Sequence, residues 1–387
     1  MAKETQVQEV ESKEVEYKER TLHEMYNAEQ KYQYISMDLG TSNTLIYVDG
    51  QGIIFNERSI VAYSNTSGEV LAVGNPAFEM KGKQVRGIYL IEPLLNGIVG
   101  NIKSVSDMIK YAFLSVDLLD LLNNSIFVLA SPSTITPLEA KGLEGVARNL
   151  GAKHVYVEEE VKMSALGVGI DIHKPSGTLV VDIGGGTTDV AVVSSGDIVV
   201  SKSIKVAGNF FTGEIQRLIK DLYNLDIGFK MAEQTKIQIS STKNPTSKSE
   251  IQQGDLLPVY GRDIHTGLPK SIYVKPDKLR SAFDEGISRI IGLVKVTIEE
   301  VAPELTVDLG KNGIYLAGGG ALIRGLDKYI SKVFGIPCYQ GSDPLYSVIN
   351  GTIAIQNRVK KIIVIKEENN IDQTKAEVIY TRQQEKK

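Results

Sequence analysis

The chain has 387 residues, 42% of them hydrophobic, and its 43 Lys and Arg against 47 Asp and Glu give a formal net charge of -4 at pH 7. This length and apolar content suit a globular protein of two domains and exclude a small disulfide-stapled scaffold. The balanced charge, without a long run of Lys or Arg, excludes nucleic acid as the main partner, because such binding needs a basic stripe that neutralises phosphates.

Cysteine usage and hydropathy predict a cytoplasmic protein. Cys338 is the single cysteine, so an intrachain disulfide is excluded and a reducing compartment is favoured. The first residues lack the apolar core of a signal peptide, and no stretch reaches the roughly 18 apolar residues of a spanning helix.

The first half of the chain is predicted to begin with a charged tail, residues 1–33, and to continue with paired strands. Asp49-Gly50-Gln51-Gly52 predicts a hairpin turn between two of these strands. Thr136-Pro137-Leu138-Glu139 predicts a capping box at the start of a helix that ends at Gly151. The other elements predicted here are strands at 35–48, 53–62, 126–130 and 155–157 and a helix at 104–116.

The second half is predicted to begin after Pro175-Ser176-Gly177 with a strand, Thr178–Ile183, that runs into a turn of three glycines. A further run of three glycines, Gly318–Gly320, follows the strand Ile314–Ala317; counted after the turns that contain Gly40 and Gly184–Gly186, it is the third glycine run. The other elements predicted here are a strand at 190–193, helices within 209–239 and at 277–300, a loop at 240–255, a hairpin around 265–269 and a charged, mobile tail of about 20 residues.

An internal repeat relates the two halves. Residues 36–60 reappear without a gap, 144 positions later, as residues 180–204, with eight identities in 25 positions that include Asp38/Asp182 and Gly40/Gly184. A period this long indicates a duplicated domain, since solenoid repeats recur every 20 to 50 residues or so. The two halves are therefore expected to face each other, each with an aspartate and a glycine-containing turn.

The repeated turns are suited to binding a polyanion with its cation. Glycines let successive backbone amides approach a phosphate tail, and a nest of such amides carries positive potential. The element after each turn is a strand, and no Walker motif is present. Asp38 and Asp182 would aim carboxylates into one cavity, an arrangement that suits Mg²⁺ with substrate phosphates. The alternative is that both aspartates only cap turns, which their recurrence in both halves disfavours.

Three segments in this order resemble the nucleotide loops of the actin, heat-shock chaperone and sugar kinase ATPases: Met37–Thr44, Val181–Asp189 and Ile314–Gly325. Within that superfamily the chain resembles the bacterial actin homologues of the MreB family, through Asp-Leu-Gly-Thr-Ser-Asn-Thr, Val-Asp-Ile-Gly-Gly-Gly-Thr-Thr-Asp and Leu-Ala-Gly-Gly-Gly-Ala-Leu-Ile-Arg-Gly. The resemblance covers residues 34–365.

The resemblance implies an α/β, actin-like ATPase fold. Two duplicated domains are built on ribonuclease H-like sheets, each carries a smaller subdomain, and the nucleotide lies in the interdomain cleft. The implied boundaries are 34–177 for the first domain with its subdomain at 62–94, 178–344 for the second with its subdomain at 214–273, a return to the first domain at 345–366 and a charged tail at 367–387.

The family's binding residues carry over by position, with ATP or ADP and Mg²⁺ as the implied cofactors. Glu160 matches the glutamate that positions the attacking water, assisted by Thr187, and Asp38 and Asp182 would hold Mg²⁺ through water. The implied cofactor-binding residues are Gly40, Thr41, Ser42, Asn43, Gly184, Gly185, Gly186, Thr187 and Gly208 around the phosphates, Glu233 and Lys236 at the ribose and adenine, and Gly318, Gly319, Gly320 and Leu322 at the base.

The segment after Glu160 departs from the family pattern. The family has proline directly after this glutamate, whereas this chain reads Val161-Lys162, which adds a charge near the catalytic segment and leaves the hydrolysis rate open. Spacing alone favours a solvated charge run for Glu158-Glu159-Glu160; the resemblance reverses this and favours the catalytic interpretation of Glu160.

Membrane contact is expected at Leu118, Leu119, Leu121 and Leu122, which match the family's hydrophobic insertion loop. Helical spacing predicts a buried stripe that includes Val116, Leu119 and Leu122. Leu118 and Leu121 lie outside this stripe and are therefore the leucines left over for membrane contact. Each leucine would contribute roughly 1.5 to 3 kcal/mol on entering hydrocarbon, so a polymer would have to multiply the effect. Simple core packing is the alternative.

The implied function is that of a cytoskeletal ATPase. Such a protein binds and slowly hydrolyses ATP and polymerises into membrane-associated filaments that govern cell shape or motility. The implied partners are further copies of the chain, a membrane lipid surface and paralogous cytoskeletal proteins, at the cytoplasmic face of the cell membrane. An actin-fold small-molecule kinase and a chaperone-like ATPase are the alternatives; the second is disfavoured because too few residues follow 366 for a peptide-binding domain.

Overall fold

The computed structural model describes residues 32–95, 98–132, 136–241, 256–356, 358–360 and 377–380. The predicted N-terminal tail up to residue 31, the predicted loop from residue 242 onwards, and the predicted C-terminal tail apart from 377–380 lie outside these residues. Among the described residues, no helix has the length and apolar character needed to cross a membrane.

The first half contains ten strands and four helices within the described residues. The strands are β1 (Gln33–Leu39), β2 (Asn43–Val48), β3 (Gly52–Arg58), β4 (Val61–Ser64), β5 (Val70–Val73), β6 (Ile88–Ile91), β7 (Leu94–Leu95), β8 (Ile98–Val99), β9 (Ser125–Ser131) and β10 (Ala152–Glu159). The helices are α1 (Asn75–Glu79), α2 (Ile102–Leu114), α3 (Pro137–Asn149) and α4 (Glu160–Gly167). The predicted capping box of α3 is confirmed, because the Thr136 side chain accepts from Glu139 N and the Glu139 carboxylate accepts from Thr136 N.

The second half repeats this alternation of strands and helices. Its strands are β11 (Thr178–Ile183), β12 (Thr188–Ser194), β13 (Asp197–Ile204), β14 (Leu225–Asp226), β15 (Leu257–Asp263), β16 (Pro269–Val274), β17 (Ile314–Ala317) and β18 (Cys338–Gln340). Its helices are α5 (Gly208–Tyr223), α6 (Phe229–Ser241), α7 (Asp284–Glu299), α8 (Pro303–Asn312) and α9 (Leu326–Phe334). The chain then forms α10 (Ser347–Ala354) and β19 (Glu377–Tyr380).

Two larger sheets carry the duplication predicted from the repeat. One has the strand order β19-β10-β9-β1-β2-β3 and the other β13-β12-β11-β17-β18. In each, the first repeat strand pairs antiparallel with the next strand (β1 with β2, β11 with β12) and parallel with a later one (β9, β17). Two three-stranded sheets, β5-β4-β6 and β14-β15-β16, form the smaller units.

The cores lie on both faces of the central strands. Every residue of β9, β11 and β12 is buried, as expected for strands covered on two sides. Helices α4 and α10 cross in direct backbone contact, because a Cβ on Gly167 would lie 1.8 Å from Ser347 O and one on Gly351 would lie 1.9 Å from Met163 O. Glycine alone fits at these two positions, so α4 is fixed against the returning chain.

Several predicted elements differ from the structure. The predicted strand 53–62 divides into β3 and β4, and the long helix at 277–300 is a 3₁₀ segment, Pro276–Ala282, followed by α7. The helical region 209–239 is interrupted by β14. Within the predicted mobile tail, β19 pairs in parallel with β10. The spacing of apolar residues did not reveal these interruptions. At each of them the chain changes sheet or direction while the apolar residues keep the same spacing.

Candidate functional site

One cleft of about 500 Å³ brings together the residues that the sequence predicted for binding and catalysis. It is lined by the ends of β1 and β11, the turns that follow them, the start of α4, one side of α6 and the glycine run after β17. The predicted residues among its lining are Asp38, Gly40, Thr41, Ser42, Asn43, Glu160, Asp182, Gly184, Gly185, Gly186, Thr187, Gly208, Glu233, Lys236, Gly318, Gly319, Gly320 and Leu322.

The two repeated turns lie against each other across this cleft. A Cβ on Gly185 would lie 2.0 Å from Ser42 Oγ and 2.7 Å from Ser42 Cβ, so the turns approach as closely as a glycine allows. The first turn is braced by Ser59, whose Oγ donates to Gly40 O at 2.6 Å and whose backbone N donates to Ser42 O at 3.1 Å. Ser59 comes from the end of the hairpin inside the repeat, so the repeat supplies both the turn and its brace.

The second turn is tied to the start of α5. Gly184 N donates to Thr187 O at 2.9 Å, and Gly208 N in turn donates to Gly184 O at 3.1 Å. Asn209 N donates to Gly185 O at 2.8 Å. These hydrogen bonds fix the turn. Its glycines place no side chains on the side that faces the cleft.

Three carboxylates that line the cleft, Asp38, Glu160 and Asp182, act on one another and are also influenced by the neighbouring Asp189. Burial and then the Asp182 charge raise the pKa of Asp38 to about 7. Burial also raises the pKa of Asp182 to about 7, against the hydrogen bond from Ser164, with the Asp189 charge adding to the rise. Burial, followed by Asp38, Asp189 and Asp182, raises the pKa of Glu160 well above its ordinary value.

This acidic group fits a divalent cation held mainly through water and phosphate. Asp182 and Asp189 are paired in register on β11 and β12, and the buried Asp189 Oδ1 has no hydrogen-bond partner among the described residues. In the described ranges, however, no group of three or more His, Cys, Asp or Glu side chains is arranged to hold a metal directly. Mg²⁺ usually keeps several waters and takes one or two carboxylates plus phosphates, so the donor set suits Mg²⁺.

The opposite wall of the cleft holds Glu233 and Lys236, one turn apart on α6. Both Glu233 oxygens accept from Arg58, with Nη1 to Oε1 at 3.0 Å and Nη2 to Oε2 at 2.7 Å. Lys236 Nζ donates to Gly208 O at 3.1 Å and to Thr212 Oγ1 at 3.0 Å, and burial lowers its pKa. Sequence reasoning missed Arg58, and its place inside the repeat is the one signal that could have indicated it.

The third glycine run, Gly318–Gly320, lines the cleft beside Asp182. Gly318 has a φ of +74°, and a Cβ there would lie 2.3 Å from Asp182 Oδ1, so this position requires glycine. Leu322 and Leu345 expose 45% and 55% of their surface beside the run and line the cleft. Tyr346, also missed from sequence, accepts from Asn56 Nδ2 at 2.9 Å. Apolar surface with a few polar groups suits a flat heteroaromatic ring.

Lys162 does not place a free charge beside the catalytic segment. Its side chain is only 2% exposed, and its Nζ lies 3.0 Å from Glu158 Oε2, in a carboxylate that is 4% exposed. The interpretation of Glu158-Glu159-Glu160 as a solvated charge run is therefore wrong for Glu158, because its partner is a buried lysine one turn along α4.

The leucines predicted for membrane contact differ from the prediction in which of them are buried and which are exposed. Leu118 and Leu121 are partly buried and pack on the core of the first half, and Leu122 is buried. Val116 and Leu119, predicted to belong to the buried stripe, are 42% and 41% exposed. The stripe was wrong here because α2 ends at Leu114 and a 3₁₀ segment, Leu119–Leu122, follows it, which rotates the later side chains away from the helical register.

Comparison with known proteins agrees with this geometry. The chain is 39% identical over 328 residues to the cell shape-determining protein Mbl of Bacillus subtilis (strain 168), covering 85% of this chain and 97% of Mbl. It is 34% identical over 322 residues to the cell shape-determining protein MreB of Escherichia coli (strain K12), covering 82% and 91% of the two chains.

Solved structures share the fold over most of the chain. The crystal structure of MreB5 of Spiroplasma citri bound to AMPPNP superposes with a TM-score of 0.81 at 42% identity, covering 88% of this chain and 99% of that one. The MamK double helical filament superposes with a TM-score of 0.68 at 22% identity, covering 84% and 99%, which speaks for the fold alone. The model of the MreB/Mbl protein family matches residues 32–364. The chain has the α/β, actin-like fold and belongs to the MreB/Mbl family.

Proposed function

We propose that this chain is an ATP-dependent filament-forming protein of the MreB type. In this proposal it binds ATP or ADP with Mg²⁺ in the cleft, hydrolyses ATP slowly and assembles with further copies of itself at the cytoplasmic face of the membrane, where it governs cell shape or motility. The observation that carries the proposal is the convergence of both repeated turns, the acidic group and the third glycine run on one cleft. MreB5 relatives solved with AMPPNP and with ADP support the choice of nucleotide.

The two turns would grip the phosphates through their backbone amides. Gly40–Asn43 and Gly184–Thr187 line the cleft from opposite sides, and Gly208 closes in beside Gly184. Amides presented by glycine-rich turns attract anions because no Cβ blocks the approach and the N–H dipoles point outwards. A triphosphate bound between them would join the two halves of the molecule.

The sugar and base would lie towards α6 and the third glycine run. Glu233 offers a carboxylate for hydroxyl groups, and Lys236 lies one turn further along the same helix. Gly318–Gly320 and Leu322 offer a shallow surface on which a planar base could pack. This arrangement follows the positions of the matched family residues.

Asp38 and Asp182 would hold the Mg²⁺ of the nucleotide through water. When bound, this cation supplies positive charge that offsets the charge developing on the transferred phosphoryl group. Burial, with the charge of a neighbouring carboxylate adding to it, raises the pKa of both Asp38 and Asp182. A cation bound beside them together with the phosphates would favour their ionised forms.

Glu160 would orient the water that attacks the terminal phosphate, with the Thr187 hydroxyl as a second contact. Glu160 is the first residue of α4 and lines the cleft together with Thr187. Phosphoryl transfer asks mainly for an oriented nucleophile and compensated charge, so one carboxylate within reach of a water is sufficient. The fixed position of α4 against α10 would hold this carboxylate in place.

Membrane attachment would use the exposed apolar residues at the end of α2. Leu114, Val116 and Leu119 are 61%, 42% and 41% exposed within one short stretch. One such stretch contributes only a few kcal/mol, so a filament that presents many copies would be needed for stable attachment. These three residues are proposed as the contact surface in place of Leu118 and Leu121, which pack on the core of the first half.

Sedimentation and electron microscopy test the proposal directly. The full chain is incubated with Mg²⁺ and ATP, ADP or no nucleotide, with and without vesicles of phosphatidylethanolamine and phosphatidylglycerol. We expect filaments with ATP that co-sediment with the vesicles, and phosphate release that lags behind assembly. Absence of filaments with every nucleotide would remove the central support for the cytoskeletal role, whereas a phosphorylated small-molecule product would favour the kinase alternative.

A further inference from the structure

Arg58 and Glu233 form a two-pronged ion pair across the cleft. Arg58 is the last residue of β3 in the first half of the chain, and Glu233 lies on α6 in the second. The guanidinium donates from Nη1 to Oε1 at 3.0 Å and from Nη2 to Oε2 at 2.7 Å, and both side chains line the cleft. This parallel fork fixes the plane of the carboxylate, which a lysine in the same place would not do.

Arg58 is itself held in position. Its guanidinium carbon lies 4.7 Å from the centre of the Phe78 ring on α1, so the group is fixed between an aromatic face and a carboxylate. Its side chain is 23% exposed and that of Glu233 is 9% exposed. The pair is therefore partly shielded from water, where a charge-assisted bond contributes more than at an open surface.

Lys236 does not take this role, although it lies one turn from Glu233. Its ammonium donates to Gly208 O and to Thr212 Oγ1, both at the start of α5. Arg58 therefore supplies two side-chain hydrogen bonds to Glu233, whereas the ammonium of Lys236 donates to the start of α5.

The paired carboxylate keeps acceptor capacity for a ligand. An ionised carboxylate has about four lone-pair sites, of which the fork of Arg58 uses two. Each oxygen of Glu233 can therefore still accept one hydrogen bond from the cleft, which matches the two donors of a vicinal diol. Resting on the proposed function, we infer that Arg58 is a positioning residue of the nucleotide site, which fixes Glu233 as the acceptor of both ribose hydroxyls.

Neighbouring contacts between the same two walls provide a matched control. Lys230, also on α6, pairs with Glu79 of α1, and Lys81 Nζ lies 4.5 Å from the centre of the Phe229 ring. These contacts tie α1 and the residues after it to α6 but touch neither Arg58 nor Glu233. Lys230→Gln therefore removes a cross-cleft ion pair while leaving the proposed acceptor in place.

The test compares the affinities of the full chain for ATP, 2′-deoxy-ATP and 3′-deoxy-ATP in the presence of Mg²⁺, measured by calorimetry. We expect the wild type to prefer ATP by roughly tenfold or more, the size of one hydrogen bond to a charged group. Arg58→Met should reduce this preference to under about threefold, because the freed carboxylate no longer faces the sugar in one orientation. Arg58→Lys keeps the charge without the fork and should fall between them, and Lys230→Gln should behave as the wild type.

Retention of the full preference by Arg58→Met would overturn the inference, as would an equal loss in Lys230→Gln. If Arg58→Met fails to fold by circular dichroism, the same comparison rests on Arg58→Lys, whose unchanged preference would overturn it. A wild type that binds ATP without preferring it to the deoxynucleotides would also overturn the role of Arg58 but leave the nucleotide site standing. A wild type that binds no nucleotide would instead overturn the proposed function.

Discussion

Lys162 Nζ lies 3.0 Å from Glu158 Oε2, and both side chains are almost fully buried, at 2% and 4% exposure. The pair joins the end of strand β10 to the first turn of α4, the helix that begins with Glu160. A second carboxylate, Asp197 at the start of β13, lies 3.6 Å from the same ammonium. The lysine therefore links the first half of the chain to a hairpin of the second, directly behind the candidate catalytic residue.

Removing the lysine should destabilise the fold strongly. Lys162→Met keeps most of the side-chain volume but removes the ammonium that faces the buried Glu158 carboxylate, which costs about 3 to 5 kcal/mol of unfolding free energy. Guanidinium unfolding of the nucleotide-free chain measures the loss. Lys162→Met/Glu158→Gln should recover much of it, because the buried site is then neutral; a double variant as unstable as the single one would contradict this account.

Replacing the candidate catalytic carboxylate should separate hydrolysis from binding. In Glu160→Gln we expect kcat for ATP hydrolysis to fall by about 10²- to 10⁴-fold, because the amide cannot accept the proton of the attacking water, with little change in ATP affinity. Phosphate release and calorimetry measure the two quantities. Glu299→Gln, an exposed glutamate on α7, is the control. Unchanged phosphate release in Glu160→Gln would show that the assigned role is wrong.

The duplication and the position of the cleft could be predicted from the sequence, because both depend on local patterns. The repeat places Asp38 and Asp182 on equivalent strands, and glycine runs mark the turns wherever they lie in space. The two repeated turns and the third glycine run therefore indicate one site from the sequence alone. The domain boundaries derived from the resemblance remain predictions.

The contacts that cross between elements could not be predicted in the same way. Arg58 contacts Glu233, which lies 175 positions later in the sequence, and the residues around either one do not indicate the other. The exposure of Leu119 depends on where α2 stops, which apolar spacing did not show. The sequence predicts that Lys162 adds a charge near the catalytic segment, because nothing in the run of glutamates before it shows that Glu158 is buried and pairs with it. Long-range pairing and element ends decide these cases.

An added methyl group should show how closely the two turns approach. In Gly185→Ala the new Cβ would lie 2.0 Å from Ser42 Oγ and 3.3 Å from Ser42 N, so one turn has to move. We expect ATP affinity to fall by about tenfold or more, since displacement of one turn loses hydrogen bonds to the phosphates. In Gly213→Ala, on α5, the methyl group meets nothing within 4 Å. That control should keep its affinity and gain roughly 0.4 to 1 kcal/mol of stability; equal loss in both would contradict the prediction.

The lone cysteine should react slowly with alkylating reagents. Burial, followed by the Asp327 charge, raises the pKa of the Cys338 thiol to about 12. The thiolate is the reactive form, so at pH 8 iodoacetamide should modify the native chain roughly a thousandfold more slowly than the unfolded chain. The native rate should still be rising with pH at pH 10. Mass spectrometry follows the reaction, with the urea-unfolded chain as reference, and similar rates in both states would contradict the burial of this thiol.

Vesicle binding should depend on Leu114 and Leu119, which are exposed at and after the end of α2, and not on Leu118 and Leu121, which pack on the core. Leu114→Ser/Leu119→Ser removes two exposed apolar side chains, each of which contributes roughly 1.5 to 3 kcal/mol on leaving water. Because a filament multiplies this loss, we expect co-sedimentation of ATP-assembled protein with vesicles to fall to background while filaments still form and thermal stability is unchanged. Val307→Ser, at a site 60% exposed on α8, is the control for loss of an exposed apolar side chain.

Leu118→Ser/Leu121→Ser provides the opposite case, because these two side chains pack on the core of the first half. We expect this variant to lose thermal stability, since burying two hydroxyl groups in place of leucines removes apolar contact and leaves polar groups to be satisfied. Filaments formed below its unfolding temperature should still bind vesicles. If it instead kept its stability and lost vesicle binding, while Leu114→Ser/Leu119→Ser bound normally, the contact surface would consist of Leu118 and Leu121, and the exposed Leu114 and Leu119 would have no part in it.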